Sequence, residues 1–302
     1  MKVLFAKAIE SVLEDVAIRQ KPSSHHTYRW AAKMCLQDWG GAGFDGITEE
    51  TLQAWVYRRT KDGMAPATIK HQTSFLSRCY KMANKISRRN GTPVPPVCPI
   101  PEVVFPRINN NRERTLSPAE EVAMHEHMAP IDFSVMQFAI HTGMRRLEQF
   151  NLRPEDVQIW DVIEDGVARK KGMARIRDSK TGVGRHCALN IVAAHIADTW
   201  IKKGGAYVFF GNRKTQNRIH VGGWFDRTRW RAALKRAGLD GKGLVWHALR
   251  HTFASRALQN GARIQDVQKM LGHQSVKQTE RYAHWASDAL WPAADALVKR
   301  AA

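Results

Sequence analysis

The chain has 302 residues, with 47 Lys+Arg against 28 Asp+Glu and a formal charge of +19. Hydrophobic residues make up 43% and aromatics 9%, enough for one or two ordinary cores, which excludes a mainly disordered chain. Length suggests about two domains, and the charge points to a polyanionic partner, nucleic acid first and an acidic membrane surface second.

The apolar start of the chain is cut by Lys7 and Glu10, too soon for a signal peptide. No other run approaches the roughly 18–20 apolar residues that span a bilayer. Cys35, Cys79, Cys98 and Cys187 are far apart with no Cys-x-x-Cys pair, so they read as reduced structural thiols of a cytoplasmic protein.

The first half has a helical pattern. The segments 24–39 and 67–86 carry apolar residues at three- and four-residue spacing, with a shorter helix over 47–59, which predicts a bundle of four or five helices. Lys70, Arg78, Lys81, Lys85, Arg88 and Arg89 recur along the last long helix, as a solvated face or a nucleic-acid contact. Half of the prolines then fall in 91–106, a composition that favours extended geometry and reads as a semi-rigid linker. Residues 1–105 hold 15 basic and 9 acidic groups (+6), and the remainder holds 32 and 19 (+13). Both halves are basic, as expected of a clamp with two positive jaws.

The second half opens with Ser117, Pro118 and Glu120, a capping box with proline at the first helical position. A buried helix follows and breaks at Gly143. Over 157–190 the period changes to that of short strands, with a hairpin turn carrying Lys180. Helices are expected to return from Trp246 onward, with stops at Gly261 and Gly272. Ser275 and Gln278 suggest a second capping box for a helix carrying Tyr282. The fold class expected is mainly α with a small antiparallel β-sheet.

Several of these segments present groups suited to phosphoryl transfer. Arg145 and Arg146 follow the Thr142-Gly143 break, with Glu148 on the next turn; His247 and Arg250 share a helix face; His273 follows Gly272, and Tyr282 lies nine residues on. Arginine forks bind phosphate oxygens bidentately and stabilise charge on a pentacoordinate transition state. Tyrosine can act as a covalent nucleophile, and lysine or histidine can supply the proton a leaving hydroxyl needs. Nothing in the set requires a metal. Each residue also has an ordinary reading as a satisfied core or surface group. His247 and His251 at i,i+4 could form a metal face, but there is no HExxH pattern or nearby carboxylate ligand to complete it.

At these residues the sequence resembles the tyrosine recombinase (phage integrase) family. Thr142-Gly143-Met144-Arg145 with Glu148 is similar to its first motif, His247-Ala248-Leu249-Arg250-His251 to its second, and Leu271-Gly272-His273 with Tyr282 to its third. Lys180-Thr181-Gly182 sits where the family carries its catalytic lysine, with Lys170 and Lys171 nearby. The resemblance implies a helical core-binding (SAM-like) DNA-binding domain over 1–105, a catalytic domain over 112–290 and a tail over 291–302.

It implies a site-specific DNA recombinase, bacterial or phage-encoded and nucleoid-associated, working without cofactor or metal. Tyr282 would attack the scissile phosphate and form a 3′-phosphotyrosyl link. Arg145 and Arg250 would clamp the phosphate and His273 hydrogen-bond it. Lys180 would protonate the departing 5′-oxygen, His247 would assist proton transfer, and Glu148 would hold the site's geometry. The implied partners are double-stranded recombination sites and a homotetramer on two duplexes exchanging strands through a Holliday junction. The apolar tail around Trp291 packs in cis or docks on a neighbouring subunit, and in the second case the free protein is a monomer. A DNA-binding regulator that keeps the fold without chemistry, and a topoisomerase of related chemistry, are the competing readings.

Overall fold

The computed structural model describes residues 2–20, 22–89, 103–106, 114–177, 184–211 and 225–282. The chain divides into two compact units, Met1–Asn111 and Arg112–Ala302. No described helix is long and apolar enough to cross a membrane.

The first unit is built from α1 (Lys2–Arg19), α2 (Pro22–Trp39), α3 (Glu49–Lys61) and α4 (Pro66–Arg89), with a 3₁₀ turn at Gly43–Gly46. Helix α1 buries Phe5, Ala8, Ile9, Val12 and Val16, a stripe at three- and four-residue spacing. It packs on Phe44 of the 3₁₀ turn, edge to face with Phe5 at 4.9 Å, and Phe44 in turn meets Tyr80 of α4 at 4.6 Å. Thr48 and Thr51 exchange side-chain bonds at the start of α3. Asp38 accepts from Trp55 Nε1 at 2.9 Å and Arg59 Nη2 at 2.6 Å, tying α2 to α3. Most of the proline-rich segment lies outside the described residues. Its end at 103–106 is seated on this unit: Val103 and Phe105 pack on the core, and Val104 exchanges two hydrogen bonds with the Gln53 amide.

The second unit starts with α5 (Pro118–His127), where Ser117 and Glu120 form the reciprocal cap and Pro118 opens the helix. Helices α6 (Pro130–Thr142) and α7 (Arg146–Phe150) follow. A three-stranded antiparallel sheet comes next: β1 (Val157–Glu164), β2 (Val167–Ile176) and β3 (Arg185–Leu189), in that order. Asp165 and Gly166 join β1 to β2 with φ of 53° and 74°, positive at both central positions as the tightest right-twisted hairpins require. The turn between β2 and β3, with Lys180, lies outside the described residues.

Two helices, α8 (Ile191–Ile201) and α9 (Arg231–Arg236), precede Trp246, so the helical pattern returns earlier than expected. Helix α8 has a regular helical period, burying Ala193, Ala194, Ile196, Ala197 and Trp200 with His195, Asp198 and Thr199 off that face, and Asn190 caps it by accepting from Ala193 N at 3.0 Å. It covers the sheet and delivers Trp200 to Phe209, at 5.4 Å in the core.

The chain closes with α10 (His247–Gln259), α11 (Ile264–Leu271) and α12 (Lys277–Glu280). The expected capping box at Ser275 and Gln278 does not form, and Tyr282 lies beyond α12 rather than on it. Main-chain bonds spaced three residues apart (Gln278 N to Ser275 O, Thr279 N to Val276 O, Tyr282 N to Thr279 O) wind this segment too tightly for a side-chain cap. The C-terminal tail lies outside the described residues.

Candidate active site

Two glycines shape the site. Gly143 ends α6 at φ 61°, where a Cβ would come within 2.3 Å of Phe253 Cδ1, so a side chain is excluded by both strain and space. Its carbonyl accepts from Arg250 Nη1 at 2.8 Å. Gly272 ends α11 at φ 65°, where a Cβ would meet Arg185 Cδ at 2.7 Å. The break after α6 presents Arg145 as the N-cap of α7, while the break after α11 presents His273.

Arg250 is buried on α10 and bridges two helix ends, donating to Gly143 O and, at 2.6 Å, to Leu271 O. Burial, then the charge of Arg145, lower its pKa to about 10, which leaves it protonated at neutral pH. Arg145 donates from its main-chain N–H to Glu148 Oε2 and from Nη1 to Oε1, both at 2.8 Å.

Glu148 has a further partner that sequence reasoning missed. Arg185 on β3 grips it with two bonds, Nη1 to Oε1 at 2.9 Å and Nη2 to Oε2 at 2.7 Å, and donates from Nε to Met270 O at 3.0 Å. Each carboxylate oxygen thus accepts from both arginines. Burial alone would raise the Glu148 pKa, but the bonds and charge of Arg185, with those of Arg145, hold it below its ordinary value. A signal was available in the sequence: Arg185 shares a strand face with buried Cys187 and Leu189, and an arginine on a buried face demands a carboxylate. Arg185→Ala should lower unfolding free energy by about 2–3 kcal/mol, less than the roughly 3–5 kcal/mol of an abandoned buried charge because Arg145 still holds Glu148. Urea denaturation checks this, and an unchanged midpoint would contradict it.

Three histidines gather at the same place. The His247 and His251 rings pack edge to face at 4.9 Å. Burial, then the charges of Arg250, Arg145 and Arg281, lower the His247 pKa. His273 Nδ1 lies 2.8 Å from Thr279 Oγ1. Its pKa falls to about 4 through burial, then Arg250, Arg145, Arg185 and Arg281, so it is neutral at physiological pH.

Tyr282 is only 2% exposed, packed with Phe253, Leu258 and Leu271, and its hydroxyl lies 2.5 Å from His251 Nδ1. The structure therefore brings Arg145, Glu148, His247, Arg250, His273 and Tyr282 to one locus. Lys180 is outside the described residues. Lys170 and Lys171 are engaged elsewhere, with Asp161 and Asp198 and with Glu164 respectively. Among the described residues no group of three His, Cys, Asp or Glu side chains could hold a metal ion, so the His247–His251 pair gains no further ligand. On the first unit, Lys70, Arg78, Lys81, Lys85, Arg88 and Arg89 are all exposed along α4. Arg78 lies 5.0 Å over the Tyr28 ring, and the last four line a shallow groove with Asn84.

Residues 109–288, most of the second unit, match the phage integrase family. The chain belongs to that family. Among phage integrase relatives, the integrase of Salmonella phage P22 is 32% identical over 197 residues, covering 63% of this chain and 48% of the phage protein. The chain thus spans about half the length of that relative. Tyrosine recombinase XerC of Corynebacterium efficiens is 27% identical over 81% of this chain and 76% of its own. The integrase-family fold recurs in the Tn1549 transposon integrase in complex with transposon right end DNA (TM-score 0.68, 18% identity, 98% of this chain and 99% of that one). It recurs also in a lambda integrase tetramer bound to a Holliday junction (TM-score 0.68, 20% identity, 91% and 76%).

Proposed function

We propose that the protein is a site-specific DNA recombinase that cuts and rejoins strands through Tyr282. One observation carries this reading: two arginines, two histidines and a tyrosine from three separated segments converge where α6 and α11 end against α10. Arg145 and Arg250 hold the non-bridging oxygens of the scissile phosphate, and their charge offsets what builds up as phosphorus becomes pentacoordinate. With Thr279 Oγ1–H donating to Nδ1, the neutral His273 ring carries its proton on Nε2 and donates it to a phosphate oxygen. The Tyr282 oxygen bonds to phosphorus, the bond to the 5′-oxygen breaks, and Lys180 protonates that oxygen, with His247 assisting proton transfer. Glu148 keeps Arg145 aimed.

The 3′-phosphotyrosyl link conserves the bond energy, so the 5′-hydroxyl of a partner strand reseals the DNA without a nucleotide cofactor. Two rounds exchange both strands through a Holliday junction, within a tetramer on two duplexes. Support for that assembly comes from the structural neighbours, one a tetramer bound to a Holliday junction and another bound to transposon end DNA.

The test is a nicked duplex carrying the attachment site read from the DNA flanking the gene, incubated without magnesium. A covalent adduct whose peptide map ends on Tyr282 supports the recombinase. Specific binding with no adduct on any such site supports the regulator instead.

The α4 face is assigned to duplex contact. Salt weakens such binding with a log–log slope of about −0.9 per phosphate neutralised. Lys81→Ala, Lys85→Ala and Arg88→Ala together should flatten the slope by up to about 2.7 and weaken specific and non-specific DNA alike. An unaltered slope in a filter-binding titration would remove this face from the interface.

A further inference from the structure

His251 has no role in the chemistry assigned so far. It is buried, sits one residue after Arg250, and faces the Tyr282 hydroxyl at 2.5 Å. The nucleophile must lose its proton as it bonds to phosphorus, and His251 Nδ1 is the side-chain nitrogen that lies against its hydroxyl. A nitrogen lone pair at this distance is within the range a general base needs.

We propose that His251 Nδ1 is the proton acceptor for the Tyr282 nucleophile, a catalytic residue distinct from His247. This rests on Tyr282 being the nucleophile. In cleavage, the oxygen–phosphorus bond forms as the tyrosine O–H bond breaks and the proton moves to Nδ1, giving an imidazolium. The 5′-oxygen leaves with a proton from Lys180. In resealing, the proton returns from Nδ1 to the tyrosine oxygen.

The surroundings fit an acceptor that strengthens once DNA is in place. His247 and Arg250 face the ring from α10, and Arg281 and Tyr282 from the segment after α12. Burial, then His247, Arg281 and Arg250, lower its pKa to about 4, so the ring is neutral throughout the neutral range, and as the Nε2–H tautomer it offers the Nδ1 lone pair to Tyr282. A phosphodiester clamped by Arg145 and Arg250 cancels part of that positive field and makes His251 a stronger base in the complex than in the free protein.

The experiment is single-turnover adduct formation by the full chain on the nicked flanking-site duplex, from pH 6.5 to 8.5. Substrates carry either a normal or a sulfur-substituted 5′-bridging position. His251→Asn keeps an acceptor near Nδ1 that cannot take a proton, and His251→Gln is a second variant should Asn disturb the fold. Either variant should slow cleavage by about 10²–10⁴-fold. The sulfur leaving group, which needs no acid, should not restore the rate, whereas it should rescue Lys180→Ala. The wild-type rate should be level with pH, and the variant rate should rise about tenfold per pH unit as free hydroxide replaces the base. A variant with near wild-type or faster cleavage overturns the proposal. So does a slow variant with a level pH profile, which would mark His251 as structural. An adduct that persists in Tyr282→Phe sinks the nucleophile assignment itself, a failure distinct from these.

Discussion

Tyr282→Phe should fold and bind its DNA site but form no covalent adduct. Phenylalanine keeps the ring that packs against Phe253, Leu258 and Leu271, so the apolar contribution of this buried side chain survives. What is lost is the hydroxyl and its bond to His251, leaving a buried nitrogen without that partner at a cost of about 1–3 kcal/mol. The stability change is modest and the chemical one complete, because phenylalanine has no oxygen to bond to phosphorus. Denaturing gels of the trapped reaction, read beside a binding titration, separate the two effects. Unchanged binding with no adduct is the expected result. A remaining adduct would mean that another nucleophile is at work.

Arg250→Lys should lower the cleavage rate by about 10²–10³-fold, the usual cost of removing one preorganised donor to a developing anion. Arg250 already spends two N–H groups on Gly143 O and Leu271 O, at 2.8 and 2.6 Å, and of its five N–H groups the other three take no hydrogen bond among the described residues, which suits them to phosphate. The fork can do both because its donors lie in one rigid plane. A lysine places three donors on a single nitrogen and cannot span two carbonyls and a phosphate together. Burial would also favour the neutral amine, whereas arginine stays charged even with its pKa lowered to about 10. Single-turnover kinetics on the nicked duplex checks this, and near wild-type cleavage would remove Arg250 from the phosphate clamp.

The parts of the molecule legible in the chain are those encoded within about four residues. The reciprocal cap of Ser117 and Glu120, the stops at Gly143 and Gly272, and the i,i+3 placement of His247 and Arg250 follow from local rules of capping, left-handed backbone and helical period. Where the local signal is blurred, reading fails. The segment before Tyr282 offers cap-like residues while the backbone takes a tighter turn.

The sequence by itself determined the chemical inventory: a basic chain, a mainly helical fold with a small sheet, and side chains of the types phosphoryl transfer uses, in an order that resembles one family. Only the tertiary structure decided how those side chains are spent. It set Arg185 against Glu148, 37 residues away, gave Arg250 two helix-end carbonyls to bridge, and turned the Tyr282 hydroxyl toward His251 across 31 residues. The reason is physical. Capping and periodicity act between near neighbours and leave a mark in the local pattern. A buried carboxylate or hydroxyl finds its partner through the packing of whole helices and strands, which no short stretch of sequence records.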